Sequence, residues 1–131
     1  MKIGQVVSKK FKATNDVVQQ IAITSGDYNP IHLDEQYAEK SVFKRRIAHG
    51  LFCLNGISNI IGNKFPGPGT IILEQSFKYK KAVYIDDEIE IFIKVIDKED
   101  DKDRYVLEIT CVNQNSENVL EGTTIVKWKE S

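Results

Sequence analysis

The sequence lacks the features that mark membrane, secreted and nucleic-acid-binding proteins. No apolar run approaches the length of a membrane span, and the first residues, Met1–Gln5, contain no apolar signal region. The formal net charge of -1 provides no general basic surface for nucleic acid. We therefore expect a cytoplasmic protein that binds neither a membrane nor nucleic acid.

Cysteine is scarce as well. The two cysteines, Cys53 and Cys111, lie in apolar surroundings and form no CxxC pair, which predicts two buried thiols in a reducing compartment. A length of 131 residues with 41% apolar and 28% charged residues is typical of one globular domain with its own core. We predict a single domain over residues 1–131.

Charge is missing altogether from residues 50–62, GLFCLNGISNIIG. The apolar residues of this stretch recur at helical spacing, and its other side is at most weakly polar. Such a pattern predicts a helix that is buried on all sides, and the run is too short to cross a bilayer. We therefore place this helix at the centre of the core, ended by the breakers of residues 63–69, NKFPGPG.

Period-two patterns, typical of strands, dominate the rest of the chain. One strand is predicted at residues 3–12, and a helix with Thr14, Asn15 or Asp16 at its start is predicted to end near Ser25-Gly26. Closely spaced strands favour antiparallel neighbours, so the later strands should form a four-strand meander. We predict an α+β fold, a curled antiparallel sheet wrapped around the central apolar helix, with those later strands at residues 70–80, 88–97, 104–113 and 119–129.

Residues 25–34, SGDYNPIHLD, place an acid and an imidazole in a segment of turn-forming residues. Asp27 and Asn29 can bond to the local backbone, Pro30 keeps Asn29 out of the helical region, and Asp34 can cap a short helix. An aspartate in a turn and a lone histidine are more often structural than catalytic. On its own, this segment predicts only a turn that contains an acid and a base.

A second histidine changes that interpretation. His49 and Gly50 stand at the start of the apolar helix, where unpaired N–H groups and the positive end of the helix dipole favour a developing oxyanion. Glycine at this point lets a ligand approach the backbone closely. An acid, an imidazole and a helix start together are the minimum for proton chemistry beside a carbonyl.

Three motifs together resemble a known family. They are TSGDYNPIHLD, then IAHG followed by the apolar helix with Ser58, and PGPGT before a strand with Gln75. This combination is similar to the R-specific enoyl-CoA hydratases, in the MaoC-like dehydratase branch of the hot-dog fold, and the resemblance spans nearly the whole chain. It implies a hot-dog domain that forms a homodimer, with the two central helices side by side and the substrate channel near the interface.

The resemblance also implies a reaction. Asp27 and His32 would activate one water for attack on C3 of a trans-2-enoyl-CoA thioester and deliver a proton to C2, giving (R)-3-hydroxyacyl-CoA. The backbone N–H of Gly50 would stabilise the enolate-like oxygen. No cofactor is implied beyond the CoA of the substrate. Three further residues are candidates for binding the substrate: Asn29, His49 and Ser58. Of these, His49 would act by supporting the loop.

Other functions stay open. A 3-hydroxyacyl-acyl-carrier-protein dehydratase would use the same residues in reverse, and a non-catalytic module that binds acyl thioesters would keep the fold. A thioesterase, or the hot-dog dehydratase type with a glutamate on the central helix, is disfavoured because residues 50–62 contain no carboxylate. The cationic residues that could meet the phosphates of CoA or of the carrier protein are Lys44, Arg45, Arg46, Lys64, Lys80 and Lys81.

Two details of the motifs qualify the assignment. Relatives often carry proline where this chain has Arg46, a difference expected to alter the loop without touching the chemistry. A metal site is possible on ligand type, but the spacing of its candidate ligands follows no metal motif, and hydration of an enoyl thioester needs no metal. Those candidates are His32, His49, Asp27 and Asp34.

Overall fold

The computed structural model describes residues 1–130, so Ser131, the last residue of the predicted domain, lies outside the described part. The elements follow one another as β1 (Val6–Lys12), α1 (Asn15–Ser25), α2 (Pro30–Leu33), α3 (Glu35–Glu39), α4 (Leu51–Asn63), β2 (Ile71–Tyr79), β3 (Glu88–Glu99), β4 (Arg104–Val112) and β5 (Asn118–Lys127). Each predicted strand is confirmed, with ends that shift by a few residues. The first strand begins at Val6 because residues 3 and 4 form a turn.

The strands form one antiparallel sheet in the order β1-β3-β4-β5-β2. The predicted four-strand meander is therefore wrong in one respect, because β2 pairs with β5 and lies at the far edge from β1. At about 3.3 Å per residue, residues 80–87 are long enough to cross the three strand spacings of about 4.8 Å each. This crossing segment becomes one wall of the site described below.

The alternation predicted for β3 is confirmed. Ile89, Ile91, Ile93 and Val95 are all 0% exposed and face the helices, whereas Lys94 between them is exposed. Full burial of such a side chain contributes about 1.5–3 kcal/mol, as an upper estimate. The same cluster takes in α4, β4 and β5, so one core holds the sheet and the central helix together.

Helix α4 is buried on one side only. Phe52, Ile57 and Ile61 are among its side chains that pack into the core. The opposite face is exposed, and it consists of Leu51, Asn55, Ser58, Asn59 and Gly62. The prediction of burial on all sides is thus wrong for the single chain, because a curled sheet covers a helix from its concave side and leaves the other side open.

The helical segment before α4 follows its predicted caps. The Val17 N–H donates to Thr14 Oγ1 at 3.2 Å, and Gly26 ends α1 with φ 74° in the left-handed region, which glycine adopts without strain. Cys53 and Cys111 are free and buried, as predicted. Within residues 1–130, no helix is both long enough and apolar enough to cross a membrane.

Candidate active site

The one-turn helix α2 carries His32 into the site. Asn29 starts this helix, since its side-chain oxygen accepts the N–H of Ile31 at 3.2 Å, and Pro30 occupies the first helical position. Two bonds from the chain just before α4 hold the end of the helix: the Ile47 N–H donates to Ile31 O at 3.2 Å, and Arg46 Nε donates to His32 O at 2.7 Å. The local sequence therefore determines where His32 stands.

His32 is buried, with 8% of the residue exposed, and the two nitrogens of its ring have different surroundings. Nδ1 lies 2.8 Å from the carbonyl oxygen of Ile47. Because a carbonyl oxygen can only accept, Nδ1 carries the proton and Nε2 presents a free lone pair. Burial is the main cause that lowers the pKa of His32 below its ordinary value, and the stacked His49 adds to it. The ring is accordingly held as a neutral base.

The carboxylate of Asp27 faces the free nitrogen of His32. Asp27 Oδ2 lies 3.9 Å from His32 Nε2, and Oδ1 accepts the N–H of Asn29 at 3.0 Å. That second bond fixes the direction in which the carboxylate points, while the side chain remains 47% exposed. The predicted pairing of acid and imidazole is therefore present as geometry, at a separation that one water beside the pair can bridge with a hydrogen bond to each atom.

His49 is packed behind these two residues. Its ring is 3% exposed and stacks on His32 with 3.9 Å between ring centroids. Its Nε2 lies 3.0 Å from the carbonyl oxygen of Asp27 and therefore donates to it, whereas the buried Nδ1 has no partner among residues 1–130. This position fits the predicted role of His49 as a support for the loop.

Gly50 directly precedes α4, and its N–H has no acceptor within residues 1–130. A side chain at this position would have to displace Tyr79, because an added Cβ would lie 2.9 Å from the hydroxyl oxygen of that residue. That hydroxyl donates to the carbonyl oxygen of Gly50 at 3.2 Å. The helix start therefore offers a free N–H to a small acceptor while Tyr79 covers the other side of the glycine.

A cavity of about 550 Å³ joins His32, His49 and Gly50. Its other walls come from the segment before α4, from the first turn of α4, from the end of β2 with the crossing segment, and from β5. They are mostly apolar: Phe43, Ile47, Ala48, Cys53, Tyr79, Ala82, Val83 and Val119 line it beside Lys80 and Lys81. An apolar cavity with a few convergent polar groups suits an acyl chain attached to a polar reacting centre.

The sequence did not identify several of these residues. Tyr79 and Val83 reach the cavity only because β2 lies at the far edge of the sheet and residues 80–87 cross back, which no local pattern signals. Cys53 could have been found, because it lies one helical turn beyond Gly50 in the uncharged run. A hydrogen bond with the thiol of Cys53, together with burial, raises the pKa of the Cys111 thiol.

Two predicted substrate-binding residues do not line the cavity. Asn29 uses its side-chain oxygen to start α2 and is exposed. Ser58 lies on the exposed face of α4, about 12 Å along the helix from Gly50 at 1.5 Å per residue. In the single chain, therefore, only His49 of the three lies against the candidate catalytic groups, and substrate binding by Asn29 and Ser58 stays a prediction.

The cationic candidates separate into three groups. Lys80 and Lys81 line the cavity, where each forms an ion pair, with Glu121 at 3.2 Å and with Glu117 respectively. Arg45 lies over the ring of Tyr84, 4.3 Å from its centroid, and Lys44 is exposed beside it. Lys64 ends α4, about 20 Å from Gly50, and so cannot contribute to the same rim.

Arg46 is the clear correction among the cationic candidates. It is 9% exposed, and its guanidinium bonds to His32 O and to Asn15 Oδ1 instead of facing solvent. A buried guanidinium that already donates two hydrogen bonds inside the protein is not placed to meet a phosphate at the surface. Arg46 contacts the main-chain carbonyl of His32, and the expectation that the departure from proline leaves the chemistry untouched stays a prediction.

Three possible metal ligands come together here. Single ligand atoms of Asp27, His32 and His49 all lie within 4.8 Å of one another. Asp34, the fourth candidate, is not part of this group, since its carboxylate accepts the N–H groups of Gln36 and Tyr37 at the start of α3. One ring nitrogen of each histidine already bonds to a carbonyl oxygen. A metal ion bound by these residues would therefore have to share the site with the water that Asp27 and His32 are predicted to activate.

Comparison with known proteins gives this geometry a family. The family model described as MaoC like domain matches residues 2–117. The 3-hydroxybutyryl-CoA dehydratase of Methylorubrum extorquens is 38% identical over 121 residues, which cover 92% of this chain and 76% of that protein. The (R)-specific enoyl-CoA hydratase of Rhodospirillum rubrum is 35% identical over 126 residues, 96% of this chain and 87% of that protein.

A solved structure agrees with both. The (R)-hydratase from Aeromonas caviae involved in PHA biosynthesis superposes with a TM-score of 0.95 at 29% identity, covering 98% of each chain. The predicted hot-dog architecture is thereby confirmed. With a family model that matches most of its length and relatives above 30% identity, the chain belongs to the MaoC-like dehydratase family of hydro-lyases.

Proposed function

We propose that this protein adds water reversibly to trans-2-enoyl-CoA thioesters to give (R)-3-hydroxyacyl-CoA. The observation that carries the proposal is the 3.9 Å separation between His32 Nε2 and Asp27 Oδ2. Both atoms are acceptors. His32 Nε2 has a free lone pair because the proton of the ring is held on Nδ1 by the carbonyl oxygen of Ile47, and a carboxylate oxygen such as Asp27 Oδ2 only accepts. A single water beside both atoms can donate one hydrogen to each and direct its oxygen towards a substrate.

In the hydration direction, the dyad of Asp27 and His32 removes one proton from this water as the oxygen of the water bonds to C3 of the enoyl group. Electrons move from the C2–C3 double bond towards the thioester oxygen, where the free N–H of Gly50 stabilises the negative charge. The dyad of Asp27 and His32, which took the proton from the water, then delivers a proton to C2 of the enolate and is left as it began. Dehydration is the same path reversed, and no external oxidant, reductant or metal enters the balance.

The names of the relatives support a CoA thioester substrate. The Methylorubrum protein is named for the dehydration of 3-hydroxybutyryl-CoA, and the Rhodospirillum protein for the hydration of an enoyl-CoA. The two names describe opposite directions of one type of reaction. The apolar cavity beside His32 and Gly50 supports an acyl chain as the bound group. An acyl-carrier-protein thioester would present the same reacting atoms and differs only in what meets the rim.

We also propose that the active form is a homodimer. The uncharged face of α4 is exposed, and β2 is an edge strand with Ile71, Leu73 and Tyr79 each at least 40% exposed. An unpaired edge strand and an apolar surface of this kind favour pairing with another chain. A second copy against this face would also bring Ser58 next to a neighbouring surface, which is where it could meet substrate.

The decisive experiment compares two matched substitutions. Asp27→Asn keeps the size of the side chain but removes its charge, so hydration of crotonyl-CoA should fall by at least about a hundredfold, the scale of lost acid–base catalysis. Asp34→Asn is the control, because asparagine caps a helix as well as aspartate does and Asp34 only starts α3. An Asp27→Asn protein as active as the control would contradict the mechanism.

The same assay decides the finer points. Chiral analysis of the product should give the R isomer, and an S product would contradict the assignment. Rates with crotonyl-CoA, octenoyl-CoA and the matching acyl-carrier-protein thioesters measure chain length and carrier preference in one series. We expect EDTA to leave the rate unchanged, whereas activity lost to EDTA and restored by a metal ion would assign the three clustered ligands to a metal.

A further inference from the structure

Arg46 is an arginine buried in a place where a charge is costly. It is 9% exposed, although the two residues before it, Lys44 and Arg45, are exposed. A buried guanidinium is stable only when its donors are satisfied. Here Nε donates to His32 O at 2.7 Å, one terminal nitrogen donates to Asn15 Oδ1 at 2.8 Å, and the other lies 3.5 Å from Glu35 Oε1.

These three partners belong to three different helices. Asn15 is the first residue of α1, Glu35 is the first residue of α3, and His32 lies in α2 between them. Helices this short cannot satisfy their own end groups or form stably without outside contacts. One planar side chain therefore bridges the segments that carry the acid and the imidazole, a task that suits the fixed fork of a guanidinium.

The backbone around Arg46 is itself fixed from the other side. Arg46 O accepts the N–H of Ile85 at 3.4 Å, and the Ala48 N–H donates to Val83 O at 2.7 Å, so residues 46–48 are bonded to the crossing segment. His32 is thus held twice by adjacent residues, at its main-chain carbonyl by Arg46 and at ring Nδ1 by the carbonyl of Ile47. The clamp, residues 46–47, connects the crossing segment to the imidazole.

We propose that Arg46 is a positioning residue that holds the imidazole of His32 in the orientation needed to activate water. Its kinetic consequence rests on the proposed hydratase function, but the placement of the ring does not. Without the Arg46 donor, the His32 carbonyl loses its partner and α2 is held on this side only by residue 47. The position of His32 Nε2 relative to Asp27 would then vary, and a misplacement of about 1 Å can lower the rate about a hundredfold.

The charge of Arg46 has a separate effect on the same ring. A fixed cation nearby disfavours a second one, so it helps to lower the pKa of His32, after burial and together with His49. The hydrogen bond to Ile47 and the carboxylate of Asp27 act in the opposite direction. Removing the guanidinium should therefore raise the pKa of His32, a response that a purely structural residue would not produce.

The test compares Arg46→Met with Arg104→Met, which removes a guanidinium of the same kind from the exposed start of β4, away from the site. We expect kcat for crotonyl-CoA hydration to fall about tenfold to a hundredfold in Arg46→Met, with KM nearly unchanged. Arg104→Met should retain the wild-type rate. The chain has 2 histidines, so NMR of histidine-labelled protein can follow each ring, and that of His32 should titrate at higher pH in Arg46→Met only.

Arg46→Lys separates position from charge. Lysine keeps the positive charge but cannot place donors on three acceptors at once, so His32 should titrate near its wild-type pH while kcat still falls. A wild-type rate and a wild-type His32 titration in Arg46→Met would overturn the proposal. So would the failure of both variants to fold, since Arg46 would then act on the fold as a whole. If wild-type protein does not hydrate crotonyl-CoA, the proposed function fails, and the NMR titrations still decide the role of Arg46.

Discussion

The two nitrogens of the His32 ring do different work, and their roles follow from a single hydrogen bond. Ile47 O holds the proton on Nδ1, which leaves Nε2 free opposite the carboxylate of Asp27. Burial keeps the ring neutral because a charged imidazole would lose its hydration. A neutral, oriented imidazole is what the removal of a proton from water requires.

The lowered pKa of His32 makes both activity and stability depend on acidity. The neutral ring persists below pH 6.5, so kcat/KM should hold to lower pH than a free histidine would allow and then fall about tenfold per pH unit. Below pH 6.5 the unfolded chain binds a proton that the folded chain does not yet bind. The free energy of unfolding should therefore decrease as pH falls from 6.5 through the folded-state pKa.

His32→Asn provides the matched comparison for the stability part. Asparagine cannot take up the proton, so the difference in free energy of unfolding between pH 7 and pH 5, measured with urea, should be smaller than in wild type. An equal difference in the two proteins would show that His32 is not the group whose pKa is lowered.

The sequence identified the acid and the imidazole at this scale because their turn chemistry is local. Asn29 and Pro30 determine the turn, and neighbours within the segment orient Asp27. The sequence does not predict the burial of Arg46 or the place of Tyr79 in the cavity, for the opposite reason. Their partners, His32 and Gly50, are distant in sequence, and nothing at the two positions themselves signals whether the side chain faces solvent or the site.

At the scale of elements, α4 supplies both the centre of the core and the helix start that lines the cavity. The uncharged run predicted this helix and its ends closely. It could not show that one face stays open, because a weakly polar face looks the same whether solvent or another chain covers it. The predicted cap at Gly50 is confirmed in position, and the reason for glycine there is the ring of Tyr79.

Gly50→Ala tests the close approach between α4 and β2. The new Cβ would lie 2.9 Å from the Tyr79 hydroxyl oxygen and 3.0 Å from its ring, so the free energy of unfolding should fall by about 1–3 kcal/mol. Tyr79 is 59% exposed and can swing away, which keeps the protein folded. Urea unfolding measures the effect.

A double substitution isolates that contact. With Tyr79→Ala the clash is gone, so Gly50→Ala should cost less in the Tyr79→Ala background than in wild type. Equal costs in the two backgrounds would mean that Tyr79 is not the reason for glycine at this position, whose backbone is in the ordinary helical region.

For the whole molecule, the order of the strands matters most. Hydrophobic alternation located all five strands, yet the place of β2 beside β5 was not predictable, because sequence spacing favours neighbours along the chain. The consequence reaches the outside of the protein as well. With β2 at the edge, its residues Ile71, Leu73 and Tyr79 are exposed, and the uncharged face of α4 is exposed as well.

Leu73→Glu tests whether a second copy covers that surface. Leu73 is 43% exposed on the edge strand, so a buried charge there should weaken the proposed dimer and shift the mass in solution from twice 14.9 kDa towards 14.9 kDa. Val42→Glu is the control, since Val42 is 88% exposed outside both elements. Sedimentation at several protein concentrations measures the mass. Wild-type protein that sediments as a monomer would contradict the dimer.

The position of β2 also has a kinetic meaning. Its register with β5, from Ile71 opposite Lys127 to Tyr79 opposite Leu120, joins parts of the chain that are synthesised far apart. Pairings of high sequence separation are slow to form, because the intervening loop must close before any contact compensates for the lost entropy. The cavity needs Tyr79, the crossing segment and Val119 in place. Competence to bind substrate should therefore arise after α4 and the β3–β4 hairpin are formed.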